Sequence, residues 1–116
     1  MLLFLLSMLL VPLMPNTVSA TGADMAKGKS IYANLCVRCH GVEGAGNGEM
    51  QFTPPVADLT SPAVQGKLDA SLMKAIHDGR KNTAMGAWKF ALSDEETRDV
   101  TEYLRTLGGG LPSTSP

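Results

Sequence analysis

The sequence predicts an all-α protein with three main helices joined by long loops. Apolar residues recur at helical spacing in residues 24–35, 69–78 and 93–107, and residues typical of helix termini flank each segment. No segment alternates polar and apolar residues as a half-buried strand would, and no internal repeat is present. The 116 residues allow one small domain.

The first 20 residues predict a secretory signal peptide. Their apolar run of about 14 residues ends before a small-x-small pattern typical of a cleavage site, so we expect cleavage after Ala20. The run is shorter than the ~20 residues of a spanning helix, and two prolines interrupt it. We therefore expect an exported, periplasmic protein without a membrane span after cleavage. Residues 21–108 would form its domain and residues 109–116 a flexible tail.

Residues 24–35 form the first predicted helix. Asp24 is suited to cap its start. One face carries apolar or small residues at positions i, i+3, i+4 and i+7. These are Gly28, Ile31, Tyr32 and Leu35. The helix is predicted to run into Cys36.

The chain then contains Cys36-Val37-Arg38-Cys39-His40, which includes both of its cysteines. This C-x-x-C-H pattern is typical of the attachment site of a c-type haem. The spacing separates the thiols by about one helical turn, roughly 5.4 Å of rise, which suits thioether bonds to two vinyl groups on one haem edge. The adjacent imidazole can bind iron through Nε2. We predict one covalent haem c held by Cys36 and Cys39, with His40 as an iron ligand.

Composition excludes other classes of function. A C-x-x-C pair can act as a redox disulfide, but the βαβ pattern that usually carries one is missing. The two cysteines allow neither a disulfide framework nor a four-cysteine zinc site. A net charge of −1 argues against nucleic-acid binding. The low aromatic content, 5%, fits a small core that forms partly around a cofactor.

Residues 41–62 are predicted to be a loop, with Gly44, Gly46 and Gly48 in tight left-handed turns. No strand and no complete phosphate-binding motif accompanies these glycines.

Residues 69–78 form the second predicted helix, with Leu72 and Ile76 facing inward. We expect Asp69 to cap it, and Leu68 and Met73 to form a hydrophobic staple across its first turn. Gly79 is expected to end it.

Residues 93–107 form the third and clearest predicted helix. Ser93 and Glu96 match a capping box. The apolar stripe consists of Val100, Tyr103, Leu104 and Leu107. Gly108 is the expected C-cap.

Five residues are candidates for the second axial position on the iron: Met25, Met50, Met73, His77 and Met85. The first three methionines have packing roles or lie too near His40 in sequence. His77 lies near the end of the second helix, where histidines commonly contact terminal carbonyls. Met85 lies in a polar, non-periodic loop, where packing gives no reason for a methionine. Met85 is therefore the predicted ligand, with His77 or an open or weakly held site as alternatives.

Two further features surround this loop. Trp88 and Arg80 could donate hydrogen bonds to haem propionates, although Trp88 could equally be packed. Cations outnumber acids nearby, and acids outnumber cations on the last helix. The cations are Lys67, Lys74, Arg80, Lys81 and Lys89. We expect the Met85 edge to face an acidic redox partner, with an ordinary solvated surface as the alternative.

Together these features resemble a class I c-type cytochrome of the bacterial monohaem type. The resemblance spans roughly residues 25–107 and rests on CVRCHG, the glycine loop, the Pro-Pro stretch, GRKNTAMGAW and LSDEETRDVTEYLRTL. It implies a small cytochrome c fold wrapped around one covalent haem. In that family Cys36 and Cys39 would hold the haem, with His40 as proximal and Met85 as distal ligand.

The resemblance also implies contacts around these ligands. A carbonyl of Pro54 or Pro55 would accept a hydrogen bond from the proximal imidazole. Gly28 and Tyr32 would mark where the first helix crosses the last, near Tyr103. The family often has proline after the distal methionine, where this chain has Gly86.

The implied function is outer-sphere electron transfer without catalysis. We expect a monohaem carrier, either a monomer or a subunit of a complex, that serves redox partner proteins. One alternative is the haem subunit of an exported dehydrogenase or oxidase. Another is a haem protein whose labile distal methionine makes it a ligand-binding sensor or an enzyme.

Overall fold

Three main helices and two single-turn helices make up the computed structural model, which describes residues 22–109. The main helices are α1 (Met25–Leu35), α4 (Asp69–Asp78) and α5 (Asp94–Leu107). The single-turn helices are α2 (Val37–His40) and α3 (Pro62–Gln65). The described part of the chain contains no strand, so the all-α prediction is confirmed. The expected signal peptide, and the tail beyond residue 109, lie outside the described residues.

Helix α1 begins as its sequence predicts. The Asp24 carboxylate accepts a hydrogen bond from the Lys27 backbone N–H at 3.0 Å, which satisfies a free donor of the first turn. The helix ends at Leu35, as predicted, and Cys36 follows directly as its C-cap, with its backbone N–H donating to the Tyr32 carbonyl. Cys36 forms the junction from which α2 starts.

The crossing of α1 and α5 is the main packing contact between helices. Gly28 lies directly on the backbone of Asp99, and any side-chain carbon there would overlap the Asp99 carbonyl. One turn later the rings of Tyr32 and Tyr103 are 5.4 Å apart at an interplanar angle of 52°, a geometry typical of aromatic pairs. The predicted crossing at Gly28 and Tyr32 is confirmed.

The start of α5 is a complete capping box. Ser93 Oγ accepts from the Glu96 N–H at 3.1 Å, and a Glu96 oxygen accepts from the Ser93 N–H at 2.9 Å. The bond from the Ser93 N–H lowers the pKa of Glu96, because the ionised carboxylate is the better acceptor. Val100 and Leu104 of the predicted stripe are buried. With Tyr32 and Leu59 they form the core.

Helix α4 has the predicted bounds and ends at Gly79, but its start differs from the expectation. Leu68 is the N-cap residue and makes no side-chain capping bond. Asp69 is already inside the helix, and its carboxylate binds Arg105. Leu68 is 76% exposed. The predicted Asp69 cap and the Leu68–Met73 staple are therefore wrong, because Arg105 engages Asp69 and Leu68 points to solvent.

Helix α3 was not predicted, although Ser61 followed by Pro62 is a helix-start signal. The Ser61 hydroxyl accepts from the Val64 N–H, and Pro62 occupies the first turn. Gln65 then donates to the carbonyls of Leu59 and Leu104, at 2.6 and 3.0 Å. The end of α3 is thereby fixed to α5. No helix within residues 22–109 is long and apolar enough to cross a bilayer.

Candidate functional site

The C-x-x-C-H segment folds into a single turn directly after α1. The backbone N–H groups of Cys39 and His40 both donate to the Cys36 carbonyl, at 3.2 and 2.9 Å. Tyr32 fixes the end of this turn, since its hydroxyl donates to the Gly41 carbonyl at 2.6 Å. Burial raises the pKa of this hydroxyl, so it remains a donor. The α1–α5 crossing thus holds the segment that carries both thiols.

Both thiols and the His40 ring line one large, mainly apolar cavity of about 370 Å³. Its wall includes Met85 from the predicted ligand loop and core residues of α5 such as Leu104. The cavity therefore brings together residues separated by up to 72 positions in sequence, from Tyr32 to Leu104.

The structure places the His40 ring against an acceptor that the sequence did not indicate. Nδ1 lies 3.1 Å from the carbonyl oxygen of Ala57, whereas Pro54 or Pro55 had been expected. A carbonyl can only accept, so Nδ1 carries the proton and Nε2 keeps a free lone pair. Burial lowers the pKa of His40, and the Ala57 contact opposes that shift. The imidazole is thus neutral and oriented, as an iron ligand requires.

The path of the loop explains why Ala57 replaces the prolines. Gly46, at φ +80°, donates to the His40 carbonyl at 2.9 Å and lies against the carbonyl of Val56. The Leu59 N–H donates to the Gly44 carbonyl at 2.7 Å. These contacts bring the residues after Pro55 next to His40.

The cavity disfavours thiolate chemistry at Cys36. Burial, and secondarily the nearby Cys39, raise the pKa of the Cys36 thiol to about 11. Redox-active C-x-x-C pairs instead depend on a thiol with a lowered pKa. Cys36 therefore lacks the activated thiolate of a thiol–disulfide oxidoreductase.

Only one of the five candidate axial residues lines the cavity: Met85. Met73 and His77 line a shallow depression on the outer side of α4 and α5. His77 Nδ1 lies 2.6 Å from Asp78 Oδ1, and its side chain is 42% exposed. Met50 is exposed, and Met25 lies on the first turn of α1.

The two candidate propionate donors also line the cavity. Trp88 is partly buried, and its backbone N–H donates to the Ile76 carbonyl at 3.0 Å. Arg80 is exposed at the mouth of the cavity, together with Lys67.

The residues that line the cavity fit a bound haem. The cavity is apolar, both attachment thiols face it, and an oriented imidazole and a thioether line it. These donors match the C-x-x-C-H attachment pattern and the histidine and methionine ligation of electron-transfer haem proteins.

Comparisons with known proteins agree with the fold. A family model described as Cytochrome c matches residues 25–108. The cbb3-type cytochrome c oxidase subunit FixP of Bradyrhizobium diazoefficiens is 37% identical over 89 residues, which cover 77% of this chain and 29% of that protein. The cbb3-type subunit CcoP of Azospirillum brasilense is 33% identical over 98 residues, covering 82% and 32%. The chain spans less than a third of the length of these curated relatives.

A solved structure also matches. It belongs to the reducing HAO-like protein complex Kustc0457/Kustc0458 of Kuenenia stuttgartiensis. The match has a TM-score of 0.62 and 31% identity, and covers 72% of this chain and 43% of that one.

Proposed function

Since the chain belongs to the cytochrome c family, we propose that it is a monohaem electron carrier whose iron is bound by His40 and Met85. Membership of the family establishes haem c as its cofactor and electron transfer as its general role. The single C-x-x-C-H segment supports one haem per chain. The observation that carries the ligand assignment is one cavity lined by both thiols, His40 and Met85.

Each residue of the site has a role in this proposal. Cys36 and Cys39 would form the two thioether bonds, and His40 would bind the iron through the Nε2 that its Ala57 contact leaves free. When bound, the haem supplies the reversible one-electron Fe(II)/Fe(III) couple. The Met85 thioether favours Fe(II) and so raises the reduction potential relative to two imidazoles. Trp88 and Arg80, which line the cavity, would donate hydrogen bonds to the haem propionates.

With His40 and Met85 both bound, the iron would have no open site, so we assign no catalysis to this domain. Its electrons pass between exported or membrane-bound redox proteins. The similarity to oxidase subunits favours a second candidate, in which the same domain is the haem subunit of an exported oxidase or dehydrogenase complex.

We also propose export by the predicted signal peptide, which a mature N-terminus at Thr21 in the exported protein would verify.

The purified, exported protein tests the proposed function. We expect haem to stay with the chain during acid–acetone extraction, each chain to accept one electron, and the reduced protein to resist carbon monoxide. Extractable haem would remove the thioether assignment. Tight carbon monoxide binding would instead favour a labile Met85 and a ligand-binding function.

The cations near the cavity mouth support a partner with an acidic docking face. Lys67 and Arg80 line the cavity and are exposed, and Lys81 is exposed beside Arg80. Lysine and arginine here would attract an acidic surface towards the site, with an attraction that salt screens.

Ionic strength should therefore control electron transfer with charged small molecules. Oxidation of the reduced protein by ferricyanide, an anion, should slow as salt increases, because screening weakens its attraction to these cations. Lys67→Glu combined with Lys81→Glu should slow the low-salt reaction roughly tenfold. Stopped-flow kinetics measures both effects. Lys29→Glu, on the exposed face of α1, is the control. Equal effects of the control and the double variant would contradict localised steering.

A further inference from the structure

We propose that Gly79 and Thr83 are positioning residues that fix the backbone of Met85 and so keep its sulfur at the iron. The inference rests on the proposed Met85 ligation. It concerns residues 79–88, which we call the distal segment. Neither Gly79 nor Thr83 is itself a ligand.

Gly79 allows the distal segment to fold back on the end of α4. Its φ of +72° is a conformation that side chains rarely adopt. The position at which a side chain would begin lies 2.7 Å from the Met85 carbonyl oxygen, 2.7 Å from the Gly86 carbonyl carbon and 2.9 Å from the Ala87 nitrogen. All three are backbone atoms, so no side-chain rotation could relieve the overlap. Any larger residue must displace the backbone that carries Met85.

Thr83 hydrogen-bonds two backbone groups within the distal segment. Its hydroxyl donates to the Arg80 carbonyl at 2.8 Å and accepts from the Met85 N–H at 3.1 Å. The Arg80 N–H donates in turn to the Met85 carbonyl at 2.9 Å. Both backbone polar groups of Met85 are therefore bonded inside the segment. Thr83 supplies one of these bonds with its side chain, which makes it replaceable without altering the backbone.

The far end of the segment is fixed to the same helix. The N–H groups of Trp88 and Lys89 donate to the carbonyls of Ile76 and His77, at 3.0 and 3.2 Å. Because both ends are attached to the last turn of α4, the Thr83 bonds and the Gly79 contact set the position of Met85 between them.

Loosening this arrangement should raise the fraction of molecules in which Met85 has left the iron. An external ligand such as imidazole binds only that fraction, so its apparent affinity reports the equilibrium. A structural residue without influence on Met85 would alter stability and leave this affinity unchanged.

The test is imidazole titration of the oxidised, haem-loaded protein and its variants. Thr83→Val keeps the side-chain shape and removes the hydroxyl, and should raise imidazole affinity roughly five- to thirtyfold. Thr83→Ser retains the hydroxyl and should restore affinity to within about twofold of wild type. Gly79→Ala should raise it at least about tenfold. Gly109→Ala is the matched control, because Gly109 has φ +76° and no atom within 4 Å of an added side-chain carbon.

The outcomes separate this inference from the proposed function. Wild-type imidazole affinity in Thr83→Val, or equal effects of Thr83→Val and Thr83→Ser, would overturn the role of Thr83. An affinity in Gly79→Ala no higher than in Gly109→Ala would overturn the role of Gly79. Should Gly79→Ala fail to load haem, the Thr83 pair decides the inference. Met85→Ala is the reference: unchanged imidazole affinity there would overturn the ligation itself.

Discussion

Gly28→Ala is expected to lower the free energy of unfolding of the haem-loaded protein by about 2–4 kcal/mol. The added methyl would overlap the Asp99 carbonyl and lie 3.2 Å from Tyr103 Cβ. Because the Asp99 atoms belong to the backbone of α5, the two helices must separate. Alanine's higher helix propensity, about 1 kcal/mol, offsets only part of this cost.

Denaturant unfolding measures this effect, and the melting temperature should fall by roughly 10 °C or more. Gly22→Ala provides the control, since an added methyl there meets no atom within 4 Å. If Gly28→Ala were as stable as wild type, or more stable, the close crossing of α1 and α5 would not hold. Separation of the two helices should also disturb the functional site, because Tyr32 on α1 fixes the end of the C-x-x-C-H turn.

Met85→Ala is expected to lower the midpoint potential of the haem by on the order of 0.1 V, part of the ≈ 0.8 V range that axial ligands span. Loss of the thioether removes a ligand that favours Fe(II). The vacated position should also let carbon monoxide bind the reduced protein. Potentiometric titration and carbon monoxide binding measure the two effects.

Met73→Ala is the matched control, because Met73 lies on α4 and faces the outer depression and not the cavity. It should leave both the potential and carbon monoxide resistance unchanged. A similar response from the two variants would mean that Met85 acts through general packing and not as a ligand.

The sequence predicts best those features that depend on a few neighbouring residues. The capping box at Ser93 and Glu96 is local, and the structure has both of its bonds. The bounds of α4 and its end at Gly79 follow from apolar spacing and from the preference for glycine after a helix. The pairing of Tyr32 with Tyr103 required the family resemblance, because it joins two helices distant in sequence.

Predictions for features that depend on long-range contacts were less accurate. The Leu68–Met73 staple was a sound local pattern, but Arg105, 36 residues away, engages Asp69 and the start of α4 differs. The acceptor for His40 depends on how the glycine turns direct the following residues, and Ala57 carries no side-chain signal for such a role. The Thr83 contact was missed because a threonine in a polar loop has no distinctive pattern.

The assignment of Met85 decides the proposed function, since it separates a closed electron carrier from a haem protein with an open iron site. The most direct measurement is the optical spectrum of the oxidised protein in the region of the sulfur-to-iron charge-transfer band. We expect wild type and His77→Ala to show this band with a low-spin spectrum, and Met85→Ala to lose it. Persistence of the band in Met85→Ala, or its loss in His77→Ala, would contradict the account.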